Sequence, residues 1–254
     1  MTKLSVCIEM FWEGLKPEEK ISRIRKLGFG AFEFWGWKDK NLDALRAEKE
    51  KAGVAVAAFC LSTAAPLTKF RREAELTDGM KESVAAARQL DCGRLIAVTG
   101  NAVPGESFAT TRKRVLRGMR ALARIAEDEG ITLVLEPLNT LVDHPGYWLT
   151  RSPDAASLVE EVGSPRLKIL FDIYHQQITE GNILSNISRH LSSIGHFHAA
   201  GVPGRHELAG GELDYRNIFA AVAKTNYDGF IGLEFSPTRS DEEALAEALS
   251  LSQR

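Results

Sequence analysis

At 254 residues, 44% apolar and 26% charged, the chain has enough apolar side chains for a sizeable core, yet no apolar run of the roughly 18 residues a membrane span needs. A formal net charge of −2, with no block of like charge, gives no electrostatic footing for nucleic acid or an anionic membrane. Three scattered cysteines, Cys7, Cys60 and Cys92, form neither a disulfide framework nor a CxxC pattern, and Met1–Met10 lacks the build of a signal peptide; a reducing cytoplasm is the expected compartment.

The first strand-like run covers 4–8, and Pro17 with Glu18 and Glu19 opens a helix that Gly28 closes. A second strand at 30–35 precedes the Leu42/Leu45/Lys49 helix, which ends at Gly53. The third, at 54–60, leads into a helix with Met80, Val84 and Ala87 on one face. After a strand at 94–99, a long helix runs from about Thr111 to Glu129, with Val115, Met119, Leu122 and Ile125 as its buried stripe and Gly130 as its stop. A strand at 131–135 precedes a helix opening at Ser152-Pro153-Asp154. Strands at 167–171, 194–199 and 230–235 then alternate with helices around 182–192, 214–224 and 240–250.

Strict alternation implies a parallel sheet, and eight units of this size predict an α/β fold closed into one (β/α)8 barrel, a single domain over 1–254. An open doubly wound sheet would normally bring a glycine-rich phosphate turn after its first strand, and Glu9-Met10-Phe11-Trp12-Glu13-Gly14 is no such turn.

Four of the later strands end alike. Leu133-Val134-Leu135-Glu136, Ile169-Leu170-Phe171-Asp172, Gly195-His196-Phe197-His198 and Ile231-Gly232-Leu233-Glu234 each place a metal-competent side chain after a mostly apolar run. Their end residues are 36, 26 and 36 positions apart, the differences of their numbers, and each interval is about one βα unit. Parallel neighbours bring Glu136, Asp172, His198 and Glu234 together at the carboxyl ends of the strands, where barrel active sites are built. Carboxylates packed so closely repel unless a cation or shared protons neutralise them. Three carboxylates and one imidazole suit Mg²⁺ or Mn²⁺, with Co²⁺ and Zn²⁺ also compatible.

Around this set, Asp172-Ile173-Tyr174-His175 places His175 in the loop above the metal, within reach of a substrate oxygen; the bland reading is an exposed loop histidine. In Gly201-Val202-Pro203-Gly204-Arg205-His206-Glu207, Arg205 either clamps a substrate carboxylate or phosphate through its planar fork or pairs with Glu207 at the surface. Glu33, mid-strand among aromatics, needs a partner and reads as a hydrogen-bonder behind the metal ligands. His196 points into the barrel one layer below His198, as a satisfied core histidine. Trp12, Trp35, Trp37 and Trp148 fall near strand-end loops, where they either wall a pocket or anchor the loops.

These segments resemble the xylose-isomerase-like TIM-barrel superfamily, and most closely its hydroxypyruvate isomerase family. The resemblance covers essentially the whole chain and rests on Phe32-Glu33-Phe34-Trp35-Gly36-Trp37, Leu135-Glu136-Pro137-Leu138-Asn139-Thr140, Pro145-Gly146-Tyr147, Phe171-Asp172-Ile173-Tyr174-His175, the Ala200–Glu207 stretch and Gly232-Leu233-Glu234-Phe235. One position departs: some hydroxypyruvate isomerases carry glutamine where this chain has His198, whereas ketose 3-epimerases of the superfamily carry histidine. The resemblance implies a divalent metal and no organic cofactor, with an enediolate proton transfer in which Glu136 and Glu234 act as acid and base. His175 and Arg205 would hold substrate oxygens. The implied reaction interconverts hydroxypyruvate and tartronate semialdehyde or a related 2-oxo acid. Its rivals are 3-epimerisation of an unphosphorylated ketose and, more remotely, a metal-dependent apurinic endonuclease or a non-catalytic sugar-acid-binding barrel. The implied partner is a small-molecule substrate, with neither nucleic acid nor membrane, and the implied assembly a homodimer or homotetramer.

Overall fold

Eight parallel strands close on themselves in chain order, β1 pairing with both β2 and β8. The computed structural model describes residues 2–253. The strands are β1 (Lys3–Cys7), β2 (Ala31–Phe34), β3 (Ala55–Cys60), β4 (Arg94–Ala97), β5 (Thr132–Leu135), β6 (Leu167–Asp172), β7 (Ile194–Ala199) and β8 (Phe230–Leu233). Helices α1 (Pro17–Lys26), α2 (Leu42–Ala52), α3 (Ala74–Gln89), α4 (Phe108–Glu129) and α5 (Ser152–Val162) follow the first five strands. Beyond β6 come α6 (Ile173–Thr179) and α7 (Ile183–His190), then α8 (Tyr215–Ala223) after β7 and α9 (Asp241–Ser252) after β8. The expected closed α/β barrel is the fold observed.

Local chemistry sets the helix limits. Asn41 and Ser107 accept hydrogen bonds from the backbone N–H groups of Ala44 and Thr110, capping α2 and α4, so α4 starts three residues before the expected Thr111. Gly53, Gly130 and Gly163 end α2, α4 and α5 in the left-handed region, which costs a residue without Cβ little. The helix α6 lies where a loop is expected. Seven residues are too few for a periodic pattern, and its start is fixed by Asp172, whose Oδ1 accepts from the backbone N–H of Tyr174 at 2.8 Å and of His175 at 3.2 Å. Among the described residues, no helix is long and apolar enough to cross a membrane.

The period-two alternation of the strands separates two cores. Leu133, Leu135, Phe171, Phe197, Ile231 and Leu233 point outward into the large apolar layer under the helices. Each such fully buried side chain contributes about 1.5–3 kcal/mol. Residues between them point into the barrel: Ala58, Ile96, Val134 and Leu170 form a small apolar cluster of their own, with Cys60 against it. The same parity turns Glu136, Asp172, His198 and Glu234 inward at the strands' carboxyl ends.

Candidate active site

Strand register aligns the four residues. Asp172 is paired with His198, and His198 with Gly232. Glu136 and Glu234 continue the ladder one residue past β5 and β8, donating their backbone N–H to Ala97 O at 3.0 Å and Ala199 O at 3.1 Å. One ligand atom from each of Glu136, Asp172, His198 and Glu234 lies within 4.8 Å of all the others, and all four residues are buried. His198 Nδ1 is 3.1 Å from Glu234 Oε2, 3.6 Å from Glu136 Oε1 and 4.0 Å from Asp172 Oδ2.

Each group is held from behind. With Asp172 Oδ1 spent on the cap of α6, Oδ2 faces the cluster. His198 Nε2 lies 3.1 Å from Glu33 Oε2, and the same oxygen lies 2.9 Å from His196 Nε2. Ser5 donates its hydroxyl to the other oxygen of Glu33. Gly232 makes the room: a Cβ there would lie 2.3 Å from Glu33 Oε1 and 2.7 Å from His198 Cδ2. With Nε2 donating to Glu33, the metal-competent lone pair of His198 is the one on Nδ1, aimed at three carboxylates.

The electrostatics follow from burial and crowding. Burial pushes the Glu136 carboxyl up, partly offset by His198, and Glu234 and Asp172 push it further up. Burial works the same way on Glu234, but His198, Arg205 and the Trp35 indole N–H outweigh it and hold that carboxyl low. Burial opposes the imidazolium of His198, yet Glu234 and Glu33 keep it protonated well above its ordinary range. Glu136 Oε1 and His198 Nδ1 are buried without a hydrogen-bond partner. These residues fit a divalent cation: an oxygen-rich set with one imidazole, two orphaned donor atoms and a carboxylate fixing the histidine from behind.

A cavity of about 260 Å³ opens above the cluster, walled by Trp35, Ile96, Val98 and Leu138 and carrying His144, His175 and Arg205. Arg205 does not pair with Glu207; its Nη2 donates to Glu234 Oε2 at 2.8 Å and its Nε to the Glu234 carbonyl at 3.2 Å. Glu207 instead accepts from Thr238, at the backbone N–H and the hydroxyl. His175 is fully buried on the first turn of α6 rather than exposed in a loop, its Nε2 3.7 Å from Asp172 Oδ2. His196 is satisfied at Nε2 only, since its Nδ1 has no partner. Of the four tryptophans Trp35 lines the cavity, whereas Trp12 bonds Glu242, Trp37 bonds Ser83 and Trp148 stacks on Phe108.

Residues 21–254 match the family described as the xylose isomerase-like TIM barrel. A 2-oxo-tetronate isomerase of Cupriavidus necator is 36% identical over 166 residues, a match spanning 65% of this chain and 64% of that protein, under two thirds of either. A putative hydroxypyruvate isomerase of Danio rerio is 30% identical across 96% of this chain and 94% of its own length. The chain belongs to the hydroxypyruvate isomerase family of xylose isomerase-like TIM barrels. Among solved structures, a family 2 AP endonuclease from Brucella melitensis superposes with a TM-score of 0.93 at 26% identity, covering 98% of this chain and 99% of that one.

In this hydroxypyruvate isomerase family member the site also depends on residues to which the sequence assigned no role. Ser5 is the one hydroxyl in the run Leu4-Ser5-Val6-Cys7, and its inward parity was a usable signal. Asn139, Asp143 and His144 sit in the loop after β5, where spacing gives no direction to a side chain. Asn139 contacts His175, Asp143 accepts the Tyr174 hydroxyl at 2.9 Å, and the His144 ring lies 5.3 Å from that of His175.

Proposed function

We propose that this isomerase is divalent-metal-dependent and moves a proton between adjacent carbons of a short 2-oxo acid, interconverting hydroxypyruvate and tartronate semialdehyde or a close analogue such as a 2-oxo-tetronate. The observation that carries the reading is the convergence of Glu136, Asp172, His198 and Glu234 under a small cavity holding His175 and Arg205. At about 260 Å³ that cavity falls just below the range of about 300–1,000 Å³ usual for drug-sized ligands, which favours a substrate of few atoms. The names of the Cupriavidus and Danio relatives point to the same substrate class.

Glu136, Asp172, His198 and Glu234 would hold the cation, which when bound supplies Lewis-acid polarisation of a carbonyl and its neighbouring hydroxyl. The two glutamates have opposite tendencies, and such a pair divides into base and acid. Glu234, kept ionised by Arg205 and Trp35, takes a proton from the carbon bearing the hydroxyl. Glu136 relays a proton from solvent to the former carbonyl carbon, and Glu234 returns its own to solvent, so both carboxylates end each turnover as they began. The hydroxyl proton passes from one substrate oxygen to the other, so the reaction is a pure isomerisation with no redox partner. His175 holds a substrate oxygen. Arg205 lines the cavity, and its Nη1, the guanidinium nitrogen not bound to Glu234 and 3.9 Å from Asp143 Oδ1, binds the substrate carboxylate. Ile96 and Leu138 give the reacting carbons a buried apolar wall, with the half-exposed Trp35 and Val98 at the rim.

The test is proton exchange followed by NMR in D₂O, with Mg²⁺- or Mn²⁺-loaded protein and hydroxypyruvate, a 2-oxo-tetronate, fructose, tagatose or psicose. Metal-dependent conversion of a 2-oxo acid is expected. Glu136→Gln and Glu234→Gln should each cost about 10²–10⁴-fold in kcat, the usual worth of a general acid or base. Deuterium entering C3 of a ketose with the 2-oxo acids untouched would replace this reading with 3-epimerisation.

A further inference from the structure

His175 is fully buried, and its two ring nitrogens face different worlds. Nδ1 lies 2.7 Å from Asn139 Nδ2 and 3.4 Å from the Asn139 backbone nitrogen. Nε2 has no hydrogen-bond partner and lies 3.7 Å from Asp172 Oδ2, on the cavity side. Which nitrogen carries the proton depends on which way the Asn139 amide faces.

That amide is locked. Its Oδ1 accepts from the backbone N–H of Val142 at 3.0 Å and of Asp143 at 3.2 Å, two donors that cannot reverse their role. Its Nδ2 lies 2.6 Å from Asp143 Oδ2, a carboxylate oxygen that also takes the Tyr174 hydroxyl. A flipped amide would set oxygen against carboxylate and NH₂ against two N–H groups, turning three hydrogen bonds into three repulsions. The NH₂ therefore faces Nδ1, and the Asn139 backbone N–H points at the same lone pair. Nδ1 is an acceptor twice over. A neutral imidazole with an acceptor Nδ1 carries its proton on Nε2.

We propose that Asn139 is a positioning residue that fixes His175 as an Nε2–H donor toward the substrate in the cavity and bars the ring from serving as a base there. The substrate half of this statement rests on the isomerase reading above; the tautomer half does not. Consequently the carbon-bound proton belongs to the glutamate pair alone, and His175 acts by steadying the oxygen on which charge develops. A preorganised donor of that kind is worth about 10²–10³ in kcat.

The experiment is a long-range ¹H–¹⁵N correlation spectrum of the full chain, labelled with ¹⁵N-histidine, with and without Mg²⁺, the His175 signals assigned by their loss in His175→Gln. The expected wild-type spectrum has a protonated Nε2 and a bare Nδ1 in both states. Asn139→Asp is nearly isosteric and keeps Oδ1 on the backbone N–H groups of Val142 and Asp143. Its second oxygen needs a proton from Nδ1, and the variant is made in an Asp143→Asn background, whose side-chain amide removes the clash that two carboxylates 2.6 Å apart would create. In that variant the ring should show a protonated Nδ1, and kcat should fall about 10²-fold with KM little changed. A wild-type ring protonated on Nδ1 overturns the proposal whether or not the variant folds. A folded Asn139→Asp with the wild-type tautomer overturns the role of Asn139, and a switched tautomer with unchanged kcat overturns the role of the donor. If the wild-type protein converts no 2-oxo acid yet shows the expected tautomer, the substrate reading falls and the Asn139–His175 assignment stands.

Discussion

The interior of the barrel is two materials. Its β3–β6 side is filled by Ala58, Ile96, Val134 and Leu170, side chains that carry no polar atom to satisfy. Its β1, β2, β7 and β8 side holds Ser5, Glu33, His196, His198 and the bare backbone of Gly232, tied together by hydrogen bonds. The two meet at the register pairs Glu33–Ala58 and His196–Leu170. Both sides are buried and both belong to the same sheet. They differ in what decides the position of a side chain. Shape alone places the apolar half, which tolerates exchange at constant volume. In the polar half the side chains are placed by donors and acceptors, with only the Nδ1 atoms of His196 and His198 left over, and an atom that loses its partner costs its full desolvation.

The sharpest way to break this contrast is Glu33→Ala. It strips the acceptor from two buried imidazoles and one hydroxyl, and breaking a buried charged cluster costs about 3–5 kcal/mol. Urea unfolding of the metal-free protein measures it. A loss under about 1 kcal/mol would make the polar half no more exacting than the apolar one. Cation loading comes next. Mn²⁺ at about 100 times its Kd should stabilise the fold by about 2.7 kcal/mol in thermal unfolding.

That gain should shrink in acid, and the sign is fixed by two groups. Glu136 and His198 both have folded-state affinities for protons raised above their ordinary values, and both must release protons for a cation to bind. Affinity therefore rises as pH passes through about 7, where Glu136 loses its proton, and keeps rising until His198 loses its own, with proton release visible by calorimetry in buffers of different ionisation enthalpy. A flat profile would mean that proton and cation do not compete.

Gly232→Ala adds one methyl group where Glu33 and His198 already stand, and should cost about 1–3 kcal/mol while lowering cation affinity. Leu170→Met, across the seam, should cost less than about 1.5 kcal/mol and leave cation affinity unchanged. Equal costs for these two, measured side by side, would erase the distinction between the halves.

Legibility in the sequence divides along similar lines. Alternation along Leu133-Val134-Leu135-Glu136 and along Ile231-Gly232-Leu233-Glu234 is a local signal, so the strands and the inward parity of their end residues could be read directly. What could not be read is the direction of side chains in loops and any element too short to show a pattern. Arg205 binds Glu234, 29 residues on, through a backbone held at a φ of 58°, where most side chains are disfavoured and spacing predicts nothing. The segment Ile173–Thr179 is too short to show helical periodicity, and its capping residue doubles as a strand end, so Asp172 hides the start of α6 inside an apparent loop. Asn139 and His144 lie in a loop whose path is set by contacts to His175 and to its own backbone, so their residue types alone gave no direction.

Asp172 serves two structures with one carboxylate: Oδ1 holds the first turn of α6, and Oδ2 faces the ligand cluster. The opening turn of α6 and the geometry of the site therefore share one anchor, and loosening Asp172 loosens both. The amide protons of Tyr174 and His175 become resident gauges of the site, exchanging with solvent at a rate set by how firmly Asp172 is gripped from its other side.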